Sequence, residues 1–88
     1  MVPRLGFAAN RPWYTSFMEH VHSNPSILGG TPCFSGTRVP VQTLFEHLRL
    51  GQTIEQFLAQ FPSVTRVQAD AVLEFAKRQI DAEARRVA

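Results

Sequence analysis

The stretch from residue 24 to residue 41, NPSILGGTPCFSGTRVPV, decides the fold of this 88-residue chain. It holds three glycines and three prolines in 18 residues, a composition that favours turns over helix. Cys33–Phe34 and residues 38–39 are predicted as the two arms of a short β-hairpin. Residues 35–37 form its loop, in which Gly36 takes a positive φ. Because a two-stranded hairpin is weak alone, we expect it to pack on helices or to pair with another chain.

Two helices are predicted after the hairpin. Pro40 suits the first turn of a helix, where its missing N–H breaks no bond, and Gly51 suits a left-handed C-terminal cap. Between them one apolar stripe recurs at helical spacing, made of Val41, Leu44, Phe45 and Leu48. The second helix begins after Thr53, which forms a capping box with Gln56, and Pro62 ends it.

A third and longer helix is predicted after another capping box, Thr65 with Gln68, and runs to about Arg85. Turning by about 100° per residue, it spreads its apolar side chains over an arc much wider than one core-facing side. These side chains are Val67, Ala69, Ala71, Val72, Leu73, Phe75, Ala76 and Ile80. We expect one side of this helix to cover the other two helices, and the other side to meet a second subunit or a different protein.

Residues 1–23 are predicted to form an N-terminal arm. Turn-forming residues favour an irregular course over residues 1–14, and β-favouring residues favour one short strand over residues 15–22. The arm carries four aromatic side chains, Phe7, Trp13, Tyr14 and Phe17. Large aromatics on an irregular arm are the usual anchors of an interface, so these are candidate partner-binding residues. The alternative is that the arm straps over the domain's own core.

Residues 24–88 are therefore predicted to form one domain, the hairpin followed by three helices. The fold class is mainly α with a short N-terminal β-hairpin, arranged as a three-helix, helix-turn-helix-like (homeodomain-like) bundle. A domain of this size buries only a modest share of its surface. Its monomer should be marginally stable, and a partner is expected.

Composition and charge narrow the classes of function. The net charge is only +2, whereas a dedicated nucleic-acid binder usually has a clear basic excess on one face, so charge alone does not argue for DNA. No apolar run approaches the roughly 20 residues that cross a bilayer, and no secretion signal is evident. Cys33 is the only cysteine, which fits a reducing compartment. We expect a cytoplasmic protein that does not enter the membrane.

The residues that carry metal or nucleophile chemistry are few. His20 and His22 lie two residues apart and are the candidate ligands of a metal together with Cys33. No further ligand has a zinc-type spacing, and no paired acids or phosphate-binding loop emerge. We expect no catalysis, no metal and no cofactor. The competing hypothesis, a small enzyme that uses Cys33 and a histidine, requires that Cys33→Ser abolish an activity.

A Gly-Gly-x-Pro motif at residues 29–32, followed by Gly-Thr-Arg-x-Pro-Val at residues 36–41, resembles the signature of the domain-of-unknown-function 433 family, treated as VapB-type antitoxins. The resemblance covers residues 24 to about 80. It implies a helix-turn-helix-like fold, a toxin partner that is often a PIN-like ribonuclease, and repression of the protein's own operon. Thr31 and Ser35 are neutral where the family commonly has basic residues. If those basic residues contact nucleic-acid phosphate in relatives, this chain lacks two such contacts.

Two sets of candidate site residues follow. The DNA-binding set is Arg38 with Arg66, Gln68 and Ala69, the last three at the start of the would-be recognition helix. The partner-binding set adds Leu73 and Ile80 to the four aromatic residues of the arm. The alternative is purely structural: Gly36 and Thr37 shape the turn, and Arg38 pairs with a local carboxylate. Many three-helix bundles with this connectivity never touch DNA.

Besides the small enzyme, three hypotheses of function result. The first is a homodimeric antitoxin that blocks a cognate toxin by direct binding and represses its operon through operator DNA. The second is a helix-turn-helix transcriptional regulator without a toxin. The third is a pure protein-interaction module.

Overall fold

The structure is a computed structural model and describes residues 11–87. In chain order it contains α1 (Pro12–His20), β1 (Val21–His22), a 3-10 turn (Leu28–Gly30), β2 (Cys33–Phe34), α2 (Val41–Arg49), α3 (Ile54–Gln60) and α4 (Arg66–Val87). Over these residues the fold is mainly helical, with four α-helices and one two-stranded antiparallel sheet near the N-terminus. The predicted class, mainly α with a short β element, is confirmed.

The strand that pairs with β2 is β1, not the predicted arm at residues 38–39. Val21 lies opposite Phe34, in antiparallel register. The predicted arm makes only one ladder bond, from Phe34 N to Val39 O at 3.0 Å, and a bridge between Cys33 and Pro40. The ladder does not continue from this bridge toward residue 38, because Thr37 donates to Phe34 O and its hydroxyl accepts from Val39 N, so both groups that would form the next ladder bond are already used. The prediction of a strand at residues 38–39 is therefore wrong.

Helix α1 replaces the strand that was predicted for residues 15–22, of which only Val21–His22 is extended. Pro12 stands in the first turn of α1, where its fixed φ suits a helix. The ring of Phe17 stacks on Phe75 of α4, with centroids 3.8 Å apart. Aromatic residues favour strands only where a sheet can pack them. Here the aromatic residues pack on α4 instead, and this packing stabilises the segment as a helix. Phe7 lies outside the described residues.

The predicted starts and stops of the later helices are confirmed. At α3, Gln56 N donates to Thr53 Oγ1 at 3.1 Å, and Thr53 N donates to Gln56 Oε1 at 2.8 Å. At α4, Thr65 and Gln68 make the same pair of bonds at 3.0 and 3.1 Å. Gly51, just after α2, has a φ of 92°, as a left-handed cap requires.

The core lies between α4 and the three shorter helices. Its fully buried cluster is Phe34, Leu44, Phe57, Val64, Ala69 and Val72. Phe17 of α1 and Val21 of β1 pack against this cluster. From Pro12 onward, the predicted N-terminal arm is therefore part of the packed structure. Within residues 11–87 no helix combines the length and apolar character that crossing a membrane demands.

We expect Gly36→Ala to lower the free energy of unfolding by about 1 kcal/mol, the cost of a left-handed backbone for a residue with Cβ. Gly36 has a φ of 76°, and a Cβ added there meets nothing within 4 Å, so the loss is conformational and not steric. Urea denaturation measures it. The control is Gly36→Asn, which tolerates this conformation better. Equal stability of the alanine variant and the native chain would refute the interpretation.

Candidate functional site

The turn at residues 35–38 is the candidate functional site, and it is tied to both ends of the fold. Ser35 N donates to His20 O at 2.9 Å, and Ser35 Oγ donates to Glu19 O at 3.1 Å. From the other side, Gln68 Nε2 donates to Ser35 O at 3.0 Å. The turn is therefore fixed between the C-terminal end of α1 and the N-terminal end of α4.

Gly36 and Thr37 shape the turn itself. Thr37 Oγ1 donates to Phe34 O at 2.8 Å and accepts from Val39 N at 3.0 Å. The hydroxyl of Thr37 thus satisfies backbone groups on both sides of the loop. With Gly36 in the left-handed region, these bonds hold the loop in one conformation.

Arg38 is exposed at the end of this turn. It makes no hydrogen bond or ion pair with any residue that the structure describes. A guanidinium is planar, always charged and suited to bidentate contact with carboxylates or phosphates. The turn therefore presents, on a fixed backbone, a cation that no described residue neutralises.

Arg66 stands in a different environment, because acidic neighbours compensate its charge. Arg66 Nη1 lies 3.0 Å from Glu55 Oε2, and its Nε lies 3.7 Å from Asp70 Oδ1. Glu55 is in the first turn of α3, and a hydrogen bond from its backbone N–H, followed by the bond and charge of Arg66, lowers the pKa of its carboxylate. These exposed ion pairs stabilise the fold little, but they draw Arg66 toward α3.

Gln68 and Ala69, predicted to open a DNA-reading helix, lie inside the protein. Ala69 is fully buried, and Gln68 is only 9% exposed. Gln68 uses its side-chain oxygen to cap α4 and its side-chain nitrogen to hold Ser35. Its place as the third residue of the capping box turns the side chain back toward Thr65, so it faces the turn and not the solvent. Both residues serve packing in this position.

Most of the predicted partner-binding residues also pack within the chain. Trp13 and Tyr14 contact Phe75, with ring centroids 5.9 and 6.0 Å apart, as Phe17 does. Leu73 packs against the core. Ile80 differs from them, since 67% of it is exposed. The chain's own α1 therefore covers the second apolar side of α4 along its N-terminal half.

An apolar groove of about 500 Å³ lies where α1, α2 and α4 meet, and sequence reasoning missed it. Phe45 belongs to the apolar stripe that the sequence predicts for α2, but its side chain is 37% exposed and forms part of the groove wall. Its position next to Leu44 was the available signal, because adjacent helical residues cannot both face the core centre. The groove is lined mainly by Phe17, Val21, Pro32, Phe45, Ala76 and Ile80.

The predicted metal residues are not grouped as a site. His22 lies opposite Cys33 in the sheet, but Cys33 is buried and its thiol donates to Thr31 O at 3.4 Å. Within residues 11–87 no three His, Cys, Asp or Glu side chains come together in a way that would hold a metal ion.

The chain belongs to the family described as protein of unknown function DUF433, whose model matches residues 21–76. It is 46% identical over 46 residues to the uncharacterized protein y4eO of Sinorhizobium fredii (strain NBRC 101917 / NGR234), a match that covers 52% of this chain and 21% of that protein. The chain thus spans about a fifth of that relative's length.

The fold is shared with a solved member of the family. The crystal structure of a DUF433 member protein from Anabaena variabilis ATCC 29413 superposes with a TM-score of 0.61 over 93% of both chains, at 24% sequence identity. This likeness establishes the fold.

We expect Gln68→Ala to lower the free energy of unfolding by about 2 to 3 kcal/mol, because it removes a cap bond and leaves the Ser35 carbonyl without its partner. The matched control is Gln56→Ala, which removes the equivalent cap bond at α3 and should cost about 1 kcal/mol. Denaturant unfolding of both variants gives the difference. Equal losses would show that the bond to Ser35 contributes nothing.

We expect Arg66→Ala to raise the pKa of Glu55 part of the way back to its ordinary value. The backbone hydrogen bond remains, so the return is incomplete. A carboxyl whose pKa is lowered by folding stabilises the folded state above its unfolded pKa, and that contribution disappears as pH falls through the folded pKa. An NMR titration of the Glu55 carboxyl carbon measures the shift, with Arg49→Ala as the control. An unchanged Glu55 titration would contradict the assigned cause.

Proposed function

We propose that the protein is the antitoxin of a type II toxin–antitoxin pair. It neutralises a cognate toxin, a PIN-like ribonuclease, by direct binding in the cytoplasm, and as a homodimer it represses its own operon. The observation that carries the proposal is Arg38, an exposed guanidinium that pairs with no residue among 11–87 and stands on a turn anchored by Gln68 and Thr37.

Arg38 suits the chemistry of such a toxin. A metal-dependent ribonuclease site is a cluster of carboxylates, and a guanidinium forms bidentate, charge-assisted hydrogen bonds with a carboxylate. Because the turn is already fixed, binding costs little backbone entropy, and only the side chain of Arg38 has to be ordered. Inserted among the toxin's carboxylates, Arg38 would occupy the place of the metal ion and exclude RNA by occlusion.

The second part of the proposal is operator binding through a helix-turn-helix arrangement. Helices α3 and α4 are joined by residues 61–65, the connectivity of a helix-turn-helix pair. Of the four predicted DNA-binding residues, Gln68 and Ala69 are buried, which leaves the exposed side chains of Arg38 and Arg66 for DNA. Contacts of guanidinium groups with phosphates give affinity that falls with salt but little sequence discrimination.

The test is co-expression with the product of the neighbouring gene. We expect the two proteins to co-purify and the nuclease activity of the toxin to be inhibited, and we expect Arg38→Gln to weaken inhibition by about tenfold or more, as a buried charged anchor would. The matched control is Arg85→Gln, since Arg85 is also exposed and lies near the far end of α4. Circular dichroism confirms that both variants fold.

The outcomes separate the competing functions. A protein that ignores the neighbouring product but binds its own promoter, with affinity that falls steeply as salt rises, is a transcriptional regulator without a toxin. A protein that binds neither is a protein-interaction module with some other partner. Full inhibition by the Arg38→Gln variant would remove the occlusion mechanism.

A further inference from the structure

The C-terminal half of α4 is not covered by the rest of the described fold. Between residues 77 and 86 every residue except Asp81 is exposed, and at 1.5 Å per residue this segment is about 15 Å long. A helical segment without a packing partner is marginal in water. Ile80, with 67% of its surface exposed, lies within it.

Ile80 is both a ridge on the helix and one edge of the apolar groove. Phe45 of α2, 37% exposed, lines the same groove, and Ala76 lies one turn before Ile80. Exposed apolar side chains beside an apolar groove mark an interaction surface. A two-fold interface needs a surface that is complementary to itself, and a ridge that borders a groove meets this condition.

The two charged residues next to Ile80 are arranged so that they can pair with those of a second α4 helix running antiparallel. Lys77 Nζ lies 3.3 Å from Asp81 Oδ2, and the two side chains are 64% and 47% exposed. They lie one turn apart on the same flank of Ile80. If two α4 helices cross antiparallel near Ile80, each lysine comes opposite the other copy's aspartate. In a parallel pair, this flank of one helix would lie on the opposite side of the interface from the same flank of the other, so Lys77 and Asp81 would not meet their counterparts.

We propose that a second copy of this chain binds here, with the two α4 helices antiparallel about a two-fold axis near Ile80 and the end of each α4 against the groove of the other copy. The proposal rests on the homodimer of the proposed function and names its surface. A second copy fits this face because the face carries both the exposed ridge and the groove. In an antiparallel copy, its lysine and aspartate also come opposite residues of the opposite charge.

The first test is sedimentation equilibrium of the full chain. We expect the native chain to dimerise and Ile80→Glu to raise the dimer dissociation constant by at least about tenfold, since it places two carboxylates near the axis. The matched control is Val67→Glu on the same helix, where the native side chain is 61% exposed but does not line the groove. Equal effects of the two variants, or a monomeric native chain, would overturn the proposal.

A second test separates contacts between copies from contacts within one helix. Lys77→Asp makes both positions acidic, and Asp81→Lys makes both basic, so each variant alone should dimerise at least about tenfold more weakly than the native chain. Mixed in equal amounts, the two variants should form a heterodimer of near-native affinity, which a tag on one of them reveals. If the mixture stays as weak as its components, the antiparallel pairing is wrong.

Neither test involves toxin or DNA. Failure of the dimer surface would leave the role of Arg38 in toxin binding open, and failure of toxin binding would leave the dimer measurements unaffected. A native chain that is monomeric alone but binds another protein through Ile80 would assign this face to that protein and refute the second copy.

Discussion

The packing of α4 is the constraint on which the other elements depend. This helix has 22 residues, and its N-terminal half carries apolar side chains on two sides, so it cannot be stable in water unless both are covered. One side buries Ala69 and Val72 in the common core, and α1 covers the other through Phe17 on Phe75. The short sheet then joins α1 to the segment that leads into α2.

The features that could be predicted from sequence are those whose causes lie within a few residues. A capping box needs only a hydroxyl and an amide three positions apart, and both boxes form as predicted. The left-handed glycines at positions 36 and 51 follow from local backbone sterics in the same way. For this reason the bounds of α2, α3 and the start of α4 were accessible from the chain alone.

The features that were missed depend on residues far apart in the chain. Whether Trp13 and Phe17 form a helix is decided by Phe75, about sixty positions later. The wide apolar arc of α4 indicates that two sides of the helix are covered, but it does not reveal whether the same chain or a partner covers the second side. Likewise, the difference between Arg38 and Arg66 depends on where Glu55 lies in space, which no spacing along the chain reveals.

The amide of Gln68 links the first turn of α4 to the turn that carries Arg38. Neither part can open without breaking a bond that the other needs, so the two should fluctuate as one cooperative unit. Hydrogen exchange would then report the same opening free energy at the start of the helix and in the turn. A ligand bound to the turn would slow hydrogen exchange in α4 without contacting that helix. Gln68 thereby couples the stability of the surface turn to that of the core helix.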